Sequence, residues 1–422
     1  MVGDSLPPVP GAVPGPNPLV TLASEFFQHD YFNAYAFGDG VVDSNNPEIT
    51  SSGQIRNTVG TGFSVGGGLS AVHALNNGEF AISYQGAYND YQTSAFTSGQ
   101  TQNLSLAYSK RLTRHLLFSI NAGGGIYRYG STFFTGQTTD LQTPLVNNPF
   151  APESKYASVG LGITYQQTRR LSYSVFGSFF LVRYNYAEAV GTTGASGGAA
   201  INYRLTSRDT LSVSYGHSFY NYQGTAGQAS IDNYGATLTH AFRNNWVASV
   251  YGGAARSNAS GTIEQPVTLL VGDQAVGGYI LGHYNQTVLL PSFYGTVSHS
   301  RRHSVFSVNG GEGVAGAGNG YFLASRSVFI GGVYSYTWAR AQNISLGGTF
   351  YRLTSVANTV STGYSSADFS VSYGRALIRH VGMFLRYDYV YFGALSPYNS
   401  NSDNRLSFGF NFSSRSVPLT LF

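Results

Sequence analysis

Cysteine is absent from this chain of 422 residues, so neither disulfides nor thiolate metal sites can organise it. Charge is scarce as well. Only 10% of residues are Asp, Glu, Lys or Arg, against about 25% in an ordinary soluble domain. Lysine occurs only at Lys110 and Lys155. Long apolar runs are also missing. No stretch of about 18 apolar residues exists, which excludes a transmembrane helix. The opening residues, Met1 to Pro8, lack a basic segment followed by an apolar one, so any export signal is expected to have been removed. A net charge of +4, with the basic residues mostly scattered singly, gives no ground for a nucleic-acid partner.

What the chain does have is Gly (53), Tyr (32) and Phe (28). They fall in alternating runs, and the last hairpin, about 380–413, is the plainest. Leu406, Phe408, Phe410 and Phe412 alternate with Arg405, Ser407, Gly409, Asn411 and Ser413. The preceding run sets Val381, Met383, Leu385, Tyr387, Tyr389 and Tyr391 against Arg386 and Asp388. Successive side chains on a strand point to opposite sides, so each run has one face for hydrocarbon and one for water. Strands of this kind, with low charge and no helical span, predict an all-β transmembrane antiparallel up-and-down barrel.

Eighteen candidate strands follow from Tyr31 onward, with sixteen as the alternative count. Their spans are 31–43, 59–75, 79–91, 99–109, 115–129, 155–168, 171–185, 194–206, 210–222, 230–242, 245–257, 288–299, 304–315, 325–338, 342–355, 365–376, 380–393 and 404–413. Residues 31–413 therefore read as barrel. Residues 1–30 read as a Pro-rich tail in the periplasm or the lumen, since proline resists both helix and ladder. Residues 414–422 read as a C-terminal tail. Short connections such as Asn76-Asn-Gly78 and Ser207–Thr210 alternate with longer polar ones at 44–58, 130–154 and 258–287. That asymmetry places turns on the periplasmic side and loops outside. The second and third long loops, with the tail, are candidates for narrowing the lumen. Trp246 and Trp338 by short turns, and Tyr389 and Tyr391 by a long loop, read as membrane-interface girdle residues.

The inward face reads as mostly Ser, Gly, Thr, Asn and Ala. Side chains this small do not fill an eighteen-stranded cylinder, which implies a watery pore. The chain resembles the Gram-negative outer-membrane porin-type barrels over about residues 30–413. In strand count and in its use of arginine over lysine it is also similar to eighteen-stranded barrels that export polysaccharides. Such barrels usually end on an aromatic residue; here the better strand ends near Phe412, while Pro418 interrupts the run to Phe422. The resemblance implies a bacterial outer-membrane location and passive transport or polymer export.

Candidate pore-lining residues are Arg386, Asp388, Arg204, Arg405, Asn202 and Asn411. Arg386 and Asp388 share a face and read either as part of a transverse selectivity field or as a local ion pair on a wet wall. Twenty-one arginines point either to planar recognition of carboxylates and sugars or to a GC-rich genome. Arg128, Arg183 and Arg352 fall on outward faces, where bulges or rim positions near the loops would let them reach headgroups. Gly62-Phe-Ser-Val-Gly66 has the letters of a nucleophile elbow but sits inside an alternating run. Gly311–Gly316 has the letters of a dinucleotide fingerprint but opens no helix, and reads as a glycine-rich loop. His299 and His303 flank Arg301 and Arg302 in a short turn, where a solvated or headgroup-facing role outweighs a metal.

No catalytic site, cofactor or metal is therefore expected. The leading expectation is a channel for small polar or anionic solutes. The alternatives are a secretion barrel for an exopolysaccharide or other polymer, and a structural or interaction protein without transport. Expected partners are outer-membrane lipid and the transported solute or polymer, with a homotrimer or a periplasmic partner through residues 1–25 left open.

Overall fold

The structure is a computed structural model and describes residues 31–49, 55–91, 98–128, 153–185, 191–223, 227–271, 274–301, 303–315, 325–338, 342–355, 363–393 and 401–414. The expected tail 1–30, loop 130–152 and residues 415–422 lie outside the described residues. Eighteen strands are present: β1 (Tyr31–Ile49), β2 (Ile55–Leu75), β3 (Gly78–Tyr91), β4 (Gly99–Arg111), β5 (Leu116–Arg128), β6 (Glu153–Gln166), β7 (Leu171–Tyr184), β8 (Thr192–Arg204) and β9 (Asp209–Tyr222). The second half comprises β10 (Gly227–Ala241), β11 (Trp246–Val271), β12 (Gln274–Arg301), β13 (Ser304–Ala315), β14 (Ser325–Trp338), β15 (Gln342–Ser355), β16 (Gly363–Ile378), β17 (Val381–Gly393) and β18 (Asn401–Ser413). The one helical piece among the described residues is a 3₁₀ turn at Arg243–Asn245.

Each strand pairs antiparallel with its sequence neighbours, and β1 pairs with both β2 and β18. The sheet therefore closes on itself and leaves no edge along its wall. The seam is long, from Tyr35 opposite Ser413 to Asp43 opposite Arg405. Beyond its end the Ser414 N–H donates to the Ala34 carbonyl at 2.7 Å, and the Ala34 N–H donates to Ser414 Oγ at 2.8 Å. At a spacing of about 4.8 Å and a tilt of about 40°, eighteen strands make a cylinder roughly 35 Å across.

The two faces follow the sequence alternation. Leu406, Phe408, Phe410 and Phe412 are exposed on the outside, as are Val213, Tyr215, Ile330 and Phe350. Ser407, Ser212, Ser214, Ser64 and Ser105 are buried on the inside. The chain folds this way because only a strand can hold hydrocarbon on one side of so many Gly-Ser-Thr positions. Inward aromatics sit over glycines of the next strand: the Phe37 ring covers Gly66 and the Phe180 ring covers Gly194, leaving no room for a methyl group at either glycine.

Turn chemistry recurs. In three tight connections a threonine hydroxyl accepts two backbone N–H groups: Thr113 from His115 and Leu116, Thr168 from Arg170 and Leu171, Thr206 from Arg208 and Asp209. Asn77, Asn244 and Asn245 take positive φ in two others, the conformation asparagine tolerates best after glycine.

Three expectations are corrected. Residues 258–271 and 274–287 are strand rather than loop: β11 and β12 pair from Trp246 opposite His299 out to Val271 opposite Gln274. Pairing to β10 stops at Ser260 and pairing to β13 starts at Phe293, so the rest is a two-stranded ribbon. Much of 44–58 is likewise ladder, from Asn46 opposite Thr58 to Ile49 opposite Ile55. Gly311 to Ala315 belong to β13 rather than to a glycine-rich loop. Proline accounts for part of the first two: Pro47 and Pro266 fall in the stretches read as loop, while Pro291 falls in the expected strand 288–299. Pro47, Pro266 and Pro291 all sit where a strand has one neighbour only, the position that tolerates a missing N–H.

Candidate functional site

The loop-end half of the lumen carries two contrasting walls. The first spans the seam, from β16 through β17 and β18 to β1. Arg386 and Asp388 share the inward face of β17. Arg386 Nε donates to Asp388 Oδ1 and Oδ2 at 2.9 and 2.8 Å, and Nη2 to Oδ1 at 2.7 Å. Asp388 stands opposite Arg405, which stands opposite Asp43. Arg405 Nη2 donates to Asp43 Oδ2 at 3.0 Å and reaches Asp403 Oδ2 at 3.5 Å. Arg405 and Asp43 are 7% and 2% exposed, so their charges must be mutually compensated. Asp39 and Asp368 add two more inward carboxylates within electrostatic range of both arginines. Within this wall Ser366 and Ser407 hold buried hydroxyls with no hydrogen-bond partner among the described residues. Buried polar groups are normally satisfied, so this wall has hydrogen-bonding capacity left for water or solute.

The second wall lies on β7–β11, opposite in the closed circuit, since β9 and β10 are nine strands from β18 and β1 in either direction. Among small polar residues its inward face carries an apolar patch: Phe180, Val182, Tyr220, Tyr222, Ile231 and Ala255 belong to one buried cluster, with Tyr156 and Tyr184 packed against it. The Phe180 and Tyr220 rings are 5.7 Å apart and tilted. The Tyr156 hydroxyl donates to Asn103 Oδ1 at 2.8 Å. The small, polar lining expected from composition holds for most of the barrel and fails here. The signal was present in the sequence, since Phe180 and Tyr220 share faces with Ser178 and Ser218, but an isolated aromatic does not disturb an alternating pattern.

The other candidates stand elsewhere. Asn202 and Arg204 face inward near the turn end of β8; Asn202 Nδ2 lies 3.5 Å from Ser174 Oγ, and Arg204 is opposite Thr210. Asn411 faces inward at the turn end of β18, beside Gly382. None of these three joins the seam network. Trp246 faces outward at the turn end, stacked on His299 with ring centroids 4.3 Å apart. Trp338 is also outward at that end, beside Tyr336 and Tyr373. Tyr389 and Tyr391 face outward near the loop end, opposite Phe369 and Ala367. Sequence reasoning missed Asp39, Asp43 and Asp403. Asp403 fell in the presumed loop before β18, and the other two meet Arg405 only because the barrel closes.

A closed antiparallel barrel with a hydrocarbon-compatible exterior, a largely polar interior and tight turns at one end defines a transmembrane β-barrel. The solved structures to which the chain is similar include three Pseudomonas aeruginosa proteins, one of them, OpdK, an outer membrane protein. OpdK, solved with vanillate, is 12% identical with a TM-score of 0.41, covering 91% of this chain and 99% of that one. OccK5 (OpdH) is 12% identical with a TM-score of 0.42, covering 91% and 98%. OpdQ is 10% identical with a TM-score of 0.39, covering 93% and 98%. No protein-family model and no curated protein sequence matches the chain.

Proposed function

We propose that the protein is an outer-membrane channel through which small polar solutes diffuse, oriented between the Arg–Asp wall at the seam and the aromatic wall opposite. The observation that carries this reading is the placement of those two walls half a circuit apart at the same end of a closed barrel. A solute between them meets charge and open hydrogen-bonding groups on one side and ring faces on the other. A lumen built this way conducts and sorts.

The arginines favoured anions when only the sequence was considered. Their pairing shifts that preference. Arg386 and Arg405 are both held by carboxylates, and Asp39, Asp43, Asp368, Asp388 and Asp403 outnumber them. Neutral and cationic solutes are therefore favoured over simple anions, because a ring of surplus carboxylates repels negative charge. Polymer export has no supporting observation among the described residues.

The test is single-channel recording of the refolded protein in a planar bilayer under a potassium chloride gradient. Steady ohmic steps with a reversal potential on the cation side are expected. A barrel that stays silent sinks the channel reading. A conducting barrel that prefers chloride keeps the channel and overturns the role given to the carboxylates.

A further inference from the structure

Five basic residues sit on the outer, membrane-facing side near the loop end of the barrel. Lys155 is the third residue of β6 and Arg183 the next to last of β7. Arg326 is the second residue of β14, and Arg352 lies three before the end of β15. Arg256 stands opposite Asp232 on the outer face of β11. No bulge turns them inward: the β5–β6, β6–β7 and β14–β15 ladders run without a register shift. Lys155, Arg183, Arg256, Arg326 and Arg352 are all exposed.

The densest sector is β6–β7. Lys155 is the direct cross-strand partner of Arg183, an arrangement in which like charges repel. Glu153 approaches Lys155 Nζ at 3.7 Å. One carboxylate thus stands beside two cations, and the pair keeps a positive surplus. Charge of this kind is costly at the centre of a bilayer and nearly free at its interface, which fixes the level of this band in the membrane. Arginine and lysine there can extend to headgroups while their stems stay against hydrocarbon. Arginine forks onto phosphate through two bonds, and lysine meets it as a point charge.

We infer that the outward face of β6 and β7 at the loop end is a binding site for the phosphate groups of an anionic lipid headgroup in the leaflet on that side, seated between Lys155 and Arg183. A phosphate there turns the unfavourable like-charge pair into a bridged one. The remaining outward arginines continue the same belt around the barrel.

The test uses the refolded full-length protein in detergent and bisphosphorylated lipid A as probe, with binding read by native mass spectrometry. Lipid A stripped of both phosphates and inorganic phosphate serve as comparators. The intact lipid is expected to bind about tenfold more tightly than the stripped one, and the double variant K155Q/R183Q to lose about tenfold in affinity. K110Q, at the turn end, is expected to bind as the parent does. Equal binding of the stripped lipid, or unchanged binding by K155Q/R183Q, overturns the proposal. Inorganic phosphate stabilising the barrel against heat as well as the lipid does would reassign the site to a free anion and also overturn it. Should the double variant fail to fold, K155Q alone and the comparison of the two lipids on the parent protein decide the matter.

Discussion

Arg405 shows how much one residue carries and how little of that a sequence reveals. Alternation alone placed it inside, with Ser407, Gly409 and Asn411. Its principal partner, Asp43, lies 362 positions earlier and meets it only because β18 closes onto β1. Periodicity is a local property, and closure is not. The same limit hid Asp39, and it left Arg386–Asp388 as the one ion pair visible in advance, because both members belong to one strand. Removing the guanidinium leaves Asp43 and Asp403 buried beside each other without compensation. Arg405→Gln is therefore expected to destabilise the barrel by about 3–5 kcal/mol. Replacing both members, Asp43→Asn with Arg405→Gln, removes the uncompensated charge and is expected to recover part of that loss. Urea unfolding in a lipid or detergent host, followed by tryptophan fluorescence and electrophoretic mobility, compares the three proteins. Equal stability of Arg405→Gln and the parent would show that the pair is not a structural tie.

At the scale of elements, all eighteen strands were legible, and β13, β14 and β15 to the residue, because a period of two with large apolar residues on one side is hard to imitate by chance. The failures share a cause. In β11 and β12 beyond the wall, and in the far ends of β1 and β2, a strand has only one partner. Such stretches accept proline and glycine and lose the apolar alternation that membrane contact imposes. The spacing did hold a clue: Val267 to Val271 and Gln274 to Leu281 are runs separated by Gly272-Asp273, a pattern typical of a tight hairpin. Since the ribbon from about 262 to 283 pairs only with itself, the barrel wall does not depend on it. Deleting 262–283 and joining Gly261 to Tyr284 through a two-residue Asn-Gly turn is expected to leave folding intact, read as retained heat-modifiable mobility after refolding. Loss of the folded band would mean that the ribbon contributes to barrel assembly.

For the whole molecule the relevant quantity is the charge distribution across the lumen. At neutral pH the seam wall carries more carboxylates than arginines, and the opposite wall carries none of either in its buried cluster. The field therefore runs across the pore rather than along it, and its sign is set by aspartates. Acidification protonates carboxylates and leaves guanidinium groups charged. The wall thus moves from net negative toward net positive as pH falls, and cation preference must fall with it. The reversal potential under a fixed salt gradient is expected to shift toward the anion side between pH 7 and pH 4. Asp39→Asn combined with Asp368→Asn should produce part of that shift at pH 7, since it removes two carboxylates and leaves the Arg405–Asp43 and Arg386–Asp388 pairs in place. A reversal potential that ignores both pH and the double substitution would place the selectivity outside this wall. A shift with pH but not with the substitution would assign it to Asp43, Asp388 and Asp403, the carboxylates bound directly to the arginines.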